Sequence, residues 1–435
     1  MPVRCQEPGK APVKSWQSSP SLYLHPSRGL PAVSNLRSMN NQGNGRSAAR
    51  DGIVIAGGGL AAQRCAETLR RGGSDEPIRL LCAEPHRPYD RPPLSKELLA
   101  GGCEPAELSF RDAPWYETHA VDLLCGVSAS RLSPRDHVVE TSDGGALRYR
   151  RLLIATGGKP RALMPLAGYQ NVLTLRTLDD ALDLRSRLKA DTRLVIVGAG
   201  FVGLEIAATA RGLGAEVTVI EAAATPLASV LGESVGSWFA ELHHDNGARV
   251  LTGHTVNRVE TAGGVVKALH LSDASTVAAD LIVVGVGIEP EVGWLADSGL
   301  DLGGGVRVDQ HGRTSCPDIF AAGDVAATFD AGSGIYVPGS HWEAAARQAA
   351  GAARLMLGLE PGQPPAASFW TDQYGLRIQY VGRSLPGDAV AIDGEPQAHN
   401  FTATYRRAGR VVAVLLVDRP RSLPEARALV ERANP

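Results

Sequence analysis

The pattern of apolar positions is most informative where a short β-branched run leads into a glycine-rich turn. Residues 52–56, GIVIA, predict a buried parallel strand, and the apolar spacing after the turn predicts a helix through Leu69. Between them lies the spacing Gly57-x-Gly59-x-x-Ala62. In a dinucleotide-binding turn, Gly57 permits the bend, Gly59 admits the pyrophosphate and Ala62 lets helix and strand pack closely. The phosphates of such a ligand lie at the helix N-terminus, where free N–H groups favour anions.

A second strand with an acidic end follows this helix. Residues 78–84, IRLLCAE, predict a strand ending at Glu84, whose carboxylate is placed to accept hydrogen bonds from an adenosine ribose. The segment 71–77 predicts a long loop before this strand, which explains why Glu84 follows the glycines by more than the usual roughly 20 residues.

The same order of elements recurs in the middle of the chain. The recurrence comprises a strand at 193–197, the turn Gly198-x-Gly200-x-x-Gly203, a helix at 204–213 and a strand at 216–220 that ends in Glu221. One such glycine pattern arises easily by chance, but two in full context do not. Glu221 can bind a free ribose 2′-hydroxyl and would repel a 2′-phosphate, and no cation occurs in residues 222–225. This pattern predicts NADH rather than NADPH.

Composition and charge restrict the functional classes. The 435 residues predict two or three domains, and a formal net charge of -2 argues against a nucleic-acid-binding protein. No apolar run approaches the roughly 18 residues of a membrane span, and the first fifty residues lack the apolar stretch of a signal peptide. We expect residues 1–47 to be a disordered tail. The segment resembles a transit peptide, but we prefer the alternative that translation starts at Met39 and leaves only a short polar tail.

The cysteines predict reduced thiols in a cytoplasmic protein. The six cysteines form neither a C-x-x-C or C-x-x-x-x-C pair nor a zinc-like quartet. Without an export signal they are expected to remain reduced.

Further motifs carry a resemblance to a known family. They are LIATGG at 153–158, GVGIEP at 285–290, Thr314-Ser315 and DIFAAGD at 318–324. With the two glycine turns, they resemble the pyridine nucleotide-disulfide oxidoreductase superfamily. Four more segments are similar to the ferredoxin:NADH reductases, which are the reductase components of Rieske dioxygenase and bacterial cytochrome P450 systems. These segments are RPYDRPPLSK at 87–96, LRTLDD at 175–180, HWEA at 341–344 and FWTDQY at 369–374.

The resemblance covers residues 50 to 435 and implies an α/β fold. Two Rossmann-like dinucleotide-binding domains of the glutathione-reductase type would be joined to a smaller α+β C-terminal domain. The implied division is an FAD-binding domain at 48–156 and 282–362, an NAD-binding domain at 157–281 and a reductase domain at 363–435. Apolar runs at 378–381 and 410–417 predict antiparallel strands in the last domain.

The resemblance also implies the cofactors FAD and NADH and a set of binding residues. The candidate cofactor-binding residues are Gly57, Gly59, Ala61, Ala62, Glu84, Arg91, Lys96, Val127, Ala155, Thr156, Gly157, Arg176, Gly198, Gly200, Gly203, Glu221, Gly287, Gly323, Asp324, Trp342 and Trp370. Taken alone, Trp342 and Trp370 could wall a flavin or fill a core, and Arg176 could form a surface salt bridge.

A thiol mechanism is excluded by the segment after Glu84. Classical members of the superfamily relay electrons through cysteines there, but residues 85–96 contain none. The implied route is direct: NADH gives a hydride to FAD, and electrons leave one at a time. The candidate catalytic residues are Lys96, beside the flavin, and its partner Glu205. On charge alone, Lys96 would instead be a solvated lysine at the start of a helix.

The implied electron acceptor is an acidic [2Fe-2S] ferredoxin that feeds an oxygenase. Candidate docking residues are Arg64, Arg70, Arg71, Arg87 and Arg347, although arginines at helical spacing are commonly a solvated face. Alternative functions are a rubredoxin reductase, another NADH-dependent reductase component, or a redox-sensing protein resembling apoptosis-inducing factor. The chain has no room for the long basic insertion expected in the last.

Overall fold

The structure, a computed structural model, describes residues 51–330, 334–339, 341–362 and 366–433. The predicted tail at 1–47 lies outside the described residues. Within these ranges no helix is both long enough and apolar enough to span a bilayer.

The first part of the chain forms a parallel sheet with an antiparallel extension. Its elements are β1 (Gly52–Ala56), α1 (Leu60–Arg71), β2 (Ile78–Cys82), α2 (Ala113–Thr118), β3 (Val121–Cys125), β4 (Ala129–Ser133), β5 (Val138–Thr141) and β6 (Ala146–Ile154). The strand order is β3-β2-β1-β6-β5-β4. Strand β6 pairs in parallel with β1 through its C-terminal part and antiparallel with β5 through its N-terminal part. Strand β1 is buried throughout, as its unbroken apolar run predicted.

The middle of the chain builds a second parallel sheet. Its elements are β7 (Gly158–Pro160), β8 (Val172–Leu173), α3 (Leu178–Arg187), β9 (Arg193–Val197), α4 (Phe201–Gly212), β10 (Glu216–Glu221), α5 (Ala228–Asp245, with a break at Gly232), β11 (Arg249–Thr252), β12 (Val256–Ala262), β13 (Val265–Leu271), β14 (Thr276–Ala278) and β15 (Leu281–Val284). The order is β11-β10-β9-β15-β8, and all four pairings are parallel. Helices α4 and α5 cover one face, and the β12-β13-β14 sheet covers the other.

The predicted division at residue 281 requires a correction. Strand β15 belongs to the second sheet, where it pairs with β8 and β9. The second sheet therefore extends to Val284, because this apolar run finds its partners in the middle of the chain and not in the first sheet.

The chain then returns to the first sheet. The elements of this segment are β16 (Ile288–Pro290), β17 (Val306–Val308), β18 (Ile319–Ala321), β19 (Ala326–Asp330), β20 (Ile335–Pro338) and α6 (Trp342–Met356). Strand β18 pairs in parallel with β6, and β16 pairs antiparallel with β7. Both crossings between the two sheets therefore lie side by side. Helix α6 packs with α1 on one face of the first sheet.

The C-terminal part is an antiparallel sheet with one helix. Its elements are β21 (Ser368–Gln373), β22 (Leu376–Gly382), β23 (Ala389–Glu395), β24 (Asn400–Arg407), β25 (Arg410–Val417) and α7 (Leu423–Ala433). The order is β21-β22-β25-β24-β23. One face packs against α5, where Phe401 meets Trp238, and the other packs against α7. The predicted antiparallel strands at 378–381 and 410–417 are confirmed as β22 and β25.

Candidate functional site

A large cavity brings both glycine turns together. Its volume is about 1230 Å³, and both Glu84 and Glu221 line it. Apart from Ala62 and Val127, every predicted site residue lines this cavity. Ala62 is fully buried in the packing of α1, which is the role predicted for the third position of the turn. Val127 donates its backbone N–H to the carbonyl oxygen of Cys82, at 3.1 Å, and does not reach the cavity.

The first glycine turn is shaped for close backbone approach and for a ligand. Gly57 has a φ of 139°, and a Cβ there would lie 2.0 Å from the carbonyl oxygen of Ala155. A Cβ on Gly58 would lie equally close, at 2.0 Å, to the Sγ of Cys82. By contrast, no protein atom outside Gly59 and its two chain neighbours lies within 4 Å of a Cβ placed on Gly59, which lines the cavity as the N-cap of α1. The free N–H groups of α1 therefore adjoin an open cradle that suits a pyrophosphate.

The second turn repeats this construction. Gly198 has a φ of 107°, and a Cβ there would lie 2.4 Å from the carbonyl oxygen of Gly285. A Cβ on Gly203 would lie 2.3 Å from the carbonyl oxygen of Gly198, so helix α4 can pack this closely only without a side chain. Gly200, the N-cap of α4, lines the cavity.

Glu221 is held rigidly at the end of β10. Its Oε2 accepts the backbone N–H of Ala199 at 2.6 Å, and its Oε1 accepts that of Ala223 at 2.9 Å. Among the described lining residues, the lysines and arginines are Arg91, Lys96 and Arg176, and all three are paired with acids. A 2′-phosphate at Glu221 would thus meet a carboxylate without an unpaired lining Lys or Arg.

Glu84 is fixed by two side chains from the segment that follows it. Its Oε1 accepts from Arg91 Nη2 at 2.7 Å, and its Oε2 accepts from the Tyr89 hydroxyl at 2.6 Å. Arg91 also donates to the backbone carbonyl of Arg176 and lies over the Tyr89 ring, 5.2 Å from its centroid. These contacts orient the carboxylate at the edge of the cavity.

Lys96 and Glu205 form a buried ion pair between the two turns. Lys96 Nζ lies 3.1 Å from Glu205 Oε1, and the two side chains are 12% and 7% exposed. Ser95 Oγ donates to Glu205 Oε2 at 2.5 Å, and Thr371 Oγ1 donates to Oε1 at 2.7 Å. The interpretation of Lys96 as a solvated surface residue is therefore wrong, since its ammonium is desolvated and charge-compensated.

Aromatic side chains close the cavity near this pair. The rings of Trp342 and Trp370 meet edge to face, with centroids 5.5 Å apart, and both line the cavity. Trp342 Nε1 donates to Asp90 Oδ1 at 2.6 Å, and burial raises the pKa of Asp90. His341 stacks on Phe369, with centroids 4.3 Å apart, and burial lowers the pKa of His341 to about 4, so its ring is neutral at physiological pH.

Arg176 lies at the cavity, and the salt bridge that it forms is with another lining residue. Its Nη2 donates to Asp324 Oδ2 at 2.7 Å, and both residues line the cavity. Gly323, next to Asp324, has a φ of 81°, and its backbone N–H is held by Gln348 at 2.9 Å.

The predicted docking arginines are largely engaged within the chain. Arg64 forms an ion pair with Glu67, Arg347 forms one with Glu343, and Arg70 donates to three backbone carbonyls. Of the five, only Arg71 and Arg87 are exposed. Neighbouring acids therefore compensate part of the charge of the candidate docking residues, and helical spacing in the sequence does not reveal such acids.

Burial keeps the thiol closest to Glu84 in the sequence protonated. Cys82, two residues before Glu84, lines the cavity, and burial raises its pKa to about 12. Its neighbour in the next strand is Cys125, and both thiols point at the carbonyl oxygen of His86. All five cysteines in the described ranges are free thiols.

The fold and the two nucleotide-binding turns define a class of oxidoreductase. Residues 51–349 match the pyridine nucleotide-disulphide oxidoreductase family, and residues 368–435 match the reductase C-terminal family. The chain therefore belongs to the pyridine nucleotide-disulphide oxidoreductase family.

Individual relatives are more specific. The chain is 36% identical, over 384 residues, to the ferredoxin–NAD(+) reductase component of the anthranilate 1,2-dioxygenase system of Burkholderia cepacia, covering 87% of this chain and 94% of that protein. It is 34% identical to putidaredoxin reductase of Pseudomonas putida, covering 88% of this chain and 92% of that protein. The crystal structure of the covalent putidaredoxin reductase–putidaredoxin complex matches with a TM-score of 0.85 and 34% identity, covering 88% of this chain and 94% of that chain.

Four residues of the site escaped prediction from the sequence. They are Ser95 and Thr371, which contact Glu205, and Asp90 and His341, which lie beside the tryptophans. All four stand inside the segments that carry the resemblance, so that resemblance was the available signal. The contacts with Glu205, however, come from distant parts of the sequence, since Ser95 is 110 positions and Thr371 is 166 positions away from it.

Proposed function

We propose that the protein is an NADH:ferredoxin reductase that passes electrons from NADH through FAD to a [2Fe-2S] ferredoxin, which in turn serves an oxygenase. The observation that carries the proposal is the single cavity shared by two nucleotide-binding turns and the Lys96–Glu205 pair. The relatives support the choice of acceptor, since one is named as a ferredoxin–NAD(+) reductase component and another as a putidaredoxin reductase, and a putidaredoxin reductase was crystallised in a covalent complex with putidaredoxin.

The first turn and its surroundings would hold FAD. The N–H groups at the start of α1 bind the pyrophosphate, Glu84 binds the adenosine ribose and Asp324 binds the ribityl chain. The remaining proposed FAD contacts are Gly57, Gly59, Ala61, Arg91, Lys96, Ala155, Thr156, Gly157, Arg176, Gly287, Gly323, Trp342 and Trp370, all of which line the cavity. FAD, when bound, converts the two-electron chemistry of NADH into one-electron chemistry.

The second turn would hold NADH. Gly198, Gly200 and Gly203 let the chain approach the pyrophosphate, and Glu221 binds the adenosine ribose. This arrangement favours NADH over NADPH because Glu221 is a fixed carboxylate and the lysines and arginines among the described lining residues are all paired with acids.

Lys96 and Glu205 supply the electrostatics of the reaction. Glu205 holds the Lys96 ammonium at one position. From that position the ammonium would stabilise negative charge on the reduced flavin ring. Trp342 and Trp370 exclude water from the same region. We also place the protein in the cytoplasm, where its free thiols would stay reduced.

The test is rapid mixing of the flavin-loaded protein with NADH and, separately, with NADPH, followed by a [2Fe-2S] ferredoxin and cytochrome c. We expect fast bleaching by NADH, a weak response to NADPH and cytochrome reduction that requires the ferredoxin. Cytochrome reduction that is indifferent to ferredoxin, or slow bleaching with a persistent long-wavelength band, would refute the proposal. Those results would indicate a different acceptor or a redox-sensing protein.

A further inference from the structure

A buried chain of hydrogen bonds runs from Glu205 into the packing between α5 and the C-terminal sheet. Thr371 and Gln373 lie on β21, and His243 lies on α5. The contacts are Thr371 Oγ1 to Glu205 Oε1 at 2.7 Å, Gln373 Nε2 to Thr371 Oγ1 at 3.0 Å, His243 Nε2 to Gln373 Oε1 at 2.8 Å and Tyr374 Oη to His243 Nδ1 at 2.9 Å. The side chains between the ends have almost no solvent contact, since Thr371 and His243 are 0% and Gln373 is 1% exposed.

The chain has a single direction. The Glu205 carboxylate accepts, so Thr371 uses its one hydroxyl proton on Glu205. The Thr371 oxygen then accepts from the amide nitrogen of Gln373, and the Gln373 carbonyl faces His243. The reverse amide orientation would leave that carbonyl against a hydroxyl whose proton is already used.

The direction also determines the state of the histidine. To donate to Gln373, His243 carries its proton on Nε2, and its bare Nδ1 accepts the hydroxyl proton of Tyr374. Burial lowers the pKa of His243 to about 4, so the neutral ring that this arrangement needs persists at physiological pH. Every bond therefore donates toward Glu205, and aligned bonds strengthen one another by about 10–30% each.

None of these three connecting residues reaches the cavity. Thr371, Gln373 and His243 are absent from its lining, whereas Glu205 and Lys96 line it. The hydrogen bonds therefore connect Gln373 and His243 to the cavity by way of Thr371 and Glu205.

We propose that Gln373 and His243 are positioning residues for the electron-transfer reaction. They hold the Thr371 hydroxyl on Glu205, and Glu205 in turn holds the Lys96 ammonium at one place in the cavity. The inference rests on the proposed function, in which Lys96 lies beside the flavin. It assigns the C-terminal sheet and helix α5 a part in tuning the reduction potential.

The test replaces Gln373 by methionine, which has a similar length and cannot donate to Thr371. The readout is the midpoint potential of the bound flavin, measured by equilibrium titration against a redox dye, so neither NADH nor a ferredoxin takes part. We expect Gln373→Met to lower the equilibrium constant for flavin reduction by threefold to tenfold, because Glu205 is then held less firmly by Thr371 and in turn holds the Lys96 ammonium less closely in the cavity. Tenfold corresponds to about 30 mV for a two-electron couple.

Three further variants separate positioning from simple structural support. His243→Gln, whose amide nitrogen can replace Nε2, should stay closer to wild type than Gln373→Met. Tyr374→Phe removes only the last donor and should give a smaller shift of the same sign, which keeps the test decisive if Gln373→Met does not fold. His244→Gln is the matched control, because His244 is the next residue of α5 and its side chain is 83% exposed; it should leave the potential unchanged.

A double variant gives the decisive comparison. In a Lys96→Met background, Gln373→Met should have no further effect on the potential, because the two substitutions act through the same ammonium. A folded, flavin-loaded Gln373→Met protein with a wild-type potential, or an equal shift in both backgrounds, would overturn the inference. Failure of NADH or ferredoxin to exchange electrons with a protein that shows the expected shifts would instead count against the proposed function alone.

Discussion

Replacing Glu221 with glutamine probes how the second turn selects its nucleotide. Both carboxylate oxygens accept backbone N–H groups, from Ala199 at 2.6 Å and from Ala223 at 2.9 Å. A glutamine amide has one carbonyl oxygen, so one of these N–H groups would face an NH₂ group. Ala199 lies between the first two glycines of the turn, so the disturbance is confined to the NADH site.

The size of the effect on binding follows from the ribose contact proposed for Glu221. The loss of a hydrogen bond from the NADH ribose to this charged acceptor costs about 1.5–3 kcal/mol, which corresponds to a roughly 10- to 150-fold weaker NADH affinity. Selectivity also changes, because two unit charges 4 Å apart repel by about 4 kcal/mol at an effective dielectric constant of 20. Removing the carboxylate relieves this repulsion for the 2′-phosphate of NADPH. We expect the preference for NADH over NADPH to fall at least about tenfold.

The assay is the rate of flavin bleaching as a function of NADH and NADPH concentration, which gives a dissociation constant for each. Glu216→Gln is the matched control, since Glu216 is exposed at the opposite end of the same strand. An unchanged NADH dissociation constant, or an unchanged ratio between the two nucleotides, would refute the reasoning. Loss of FAD from the variant would show that the effect is not confined to the second turn.

Three other predictions concern the first turn, the thiols and the buried histidine. Gly59→Leu would fill the open cradle, so the purified protein should lack flavin absorbance but keep its far-UV circular dichroism. The control Gly212→Leu, at an open and exposed site, should keep the yellow colour of bound flavin. A Gly59→Leu protein that is also yellow would contradict the FAD assignment. Because burial raises the pKa of Cys82 to about 12, this thiol should not react with Ellman's reagent at pH 8 in the native protein. The Cys82→Ala variant should keep its ferredoxin-dependent activity, and a large loss of that activity would support a thiol mechanism. Because burial lowers the pKa of His243 to about 4, this residue takes up a proton more readily when unfolded, so its contribution to stability is lost as pH falls from about 6.5 to 4. Denaturation midpoints at pH 7 and pH 5 should therefore differ less in His243→Gln than in wild type, and an equal difference would refute this.

The local chemistry of the two turns was predictable from the sequence because its requirements are local. A left-handed φ at Gly57 or Gly198 and a close carbonyl beside each demand glycine, and the strand and helix that flank them have their own periodicities. Glu84 lies two residues after the end of β2, and Glu221 is the last residue of β10, so both acids could also be identified from the strands that precede them.

Contacts between distant segments were not predictable in this way. The apolar run Leu281–Val284 is compatible with a strand of either the first or the second sheet. The boundary predicted after residue 281 therefore assigned most of this strand to the wrong domain. Thr371 and Gln373 alternate with other residues of β21, a pattern that does not show which face is buried. Arg347 was a candidate docking residue, and the sequence did not show that Glu343, one helical turn earlier, forms an ion pair with it.

The two crossing strands have a consequence for engineering and evolution. Because β7 and β16 are paired, the connection that leads out of the first sheet and the connection that leads back toward it are direct neighbours, with Gly158 opposite Pro290. Paired residues of antiparallel strands have Cα atoms about 4.5–5.5 Å apart. The polypeptide between them is thus a cassette with adjacent ends, and a cassette from another reductase could be spliced in at this point without changing the spacing that the first sheet must accommodate.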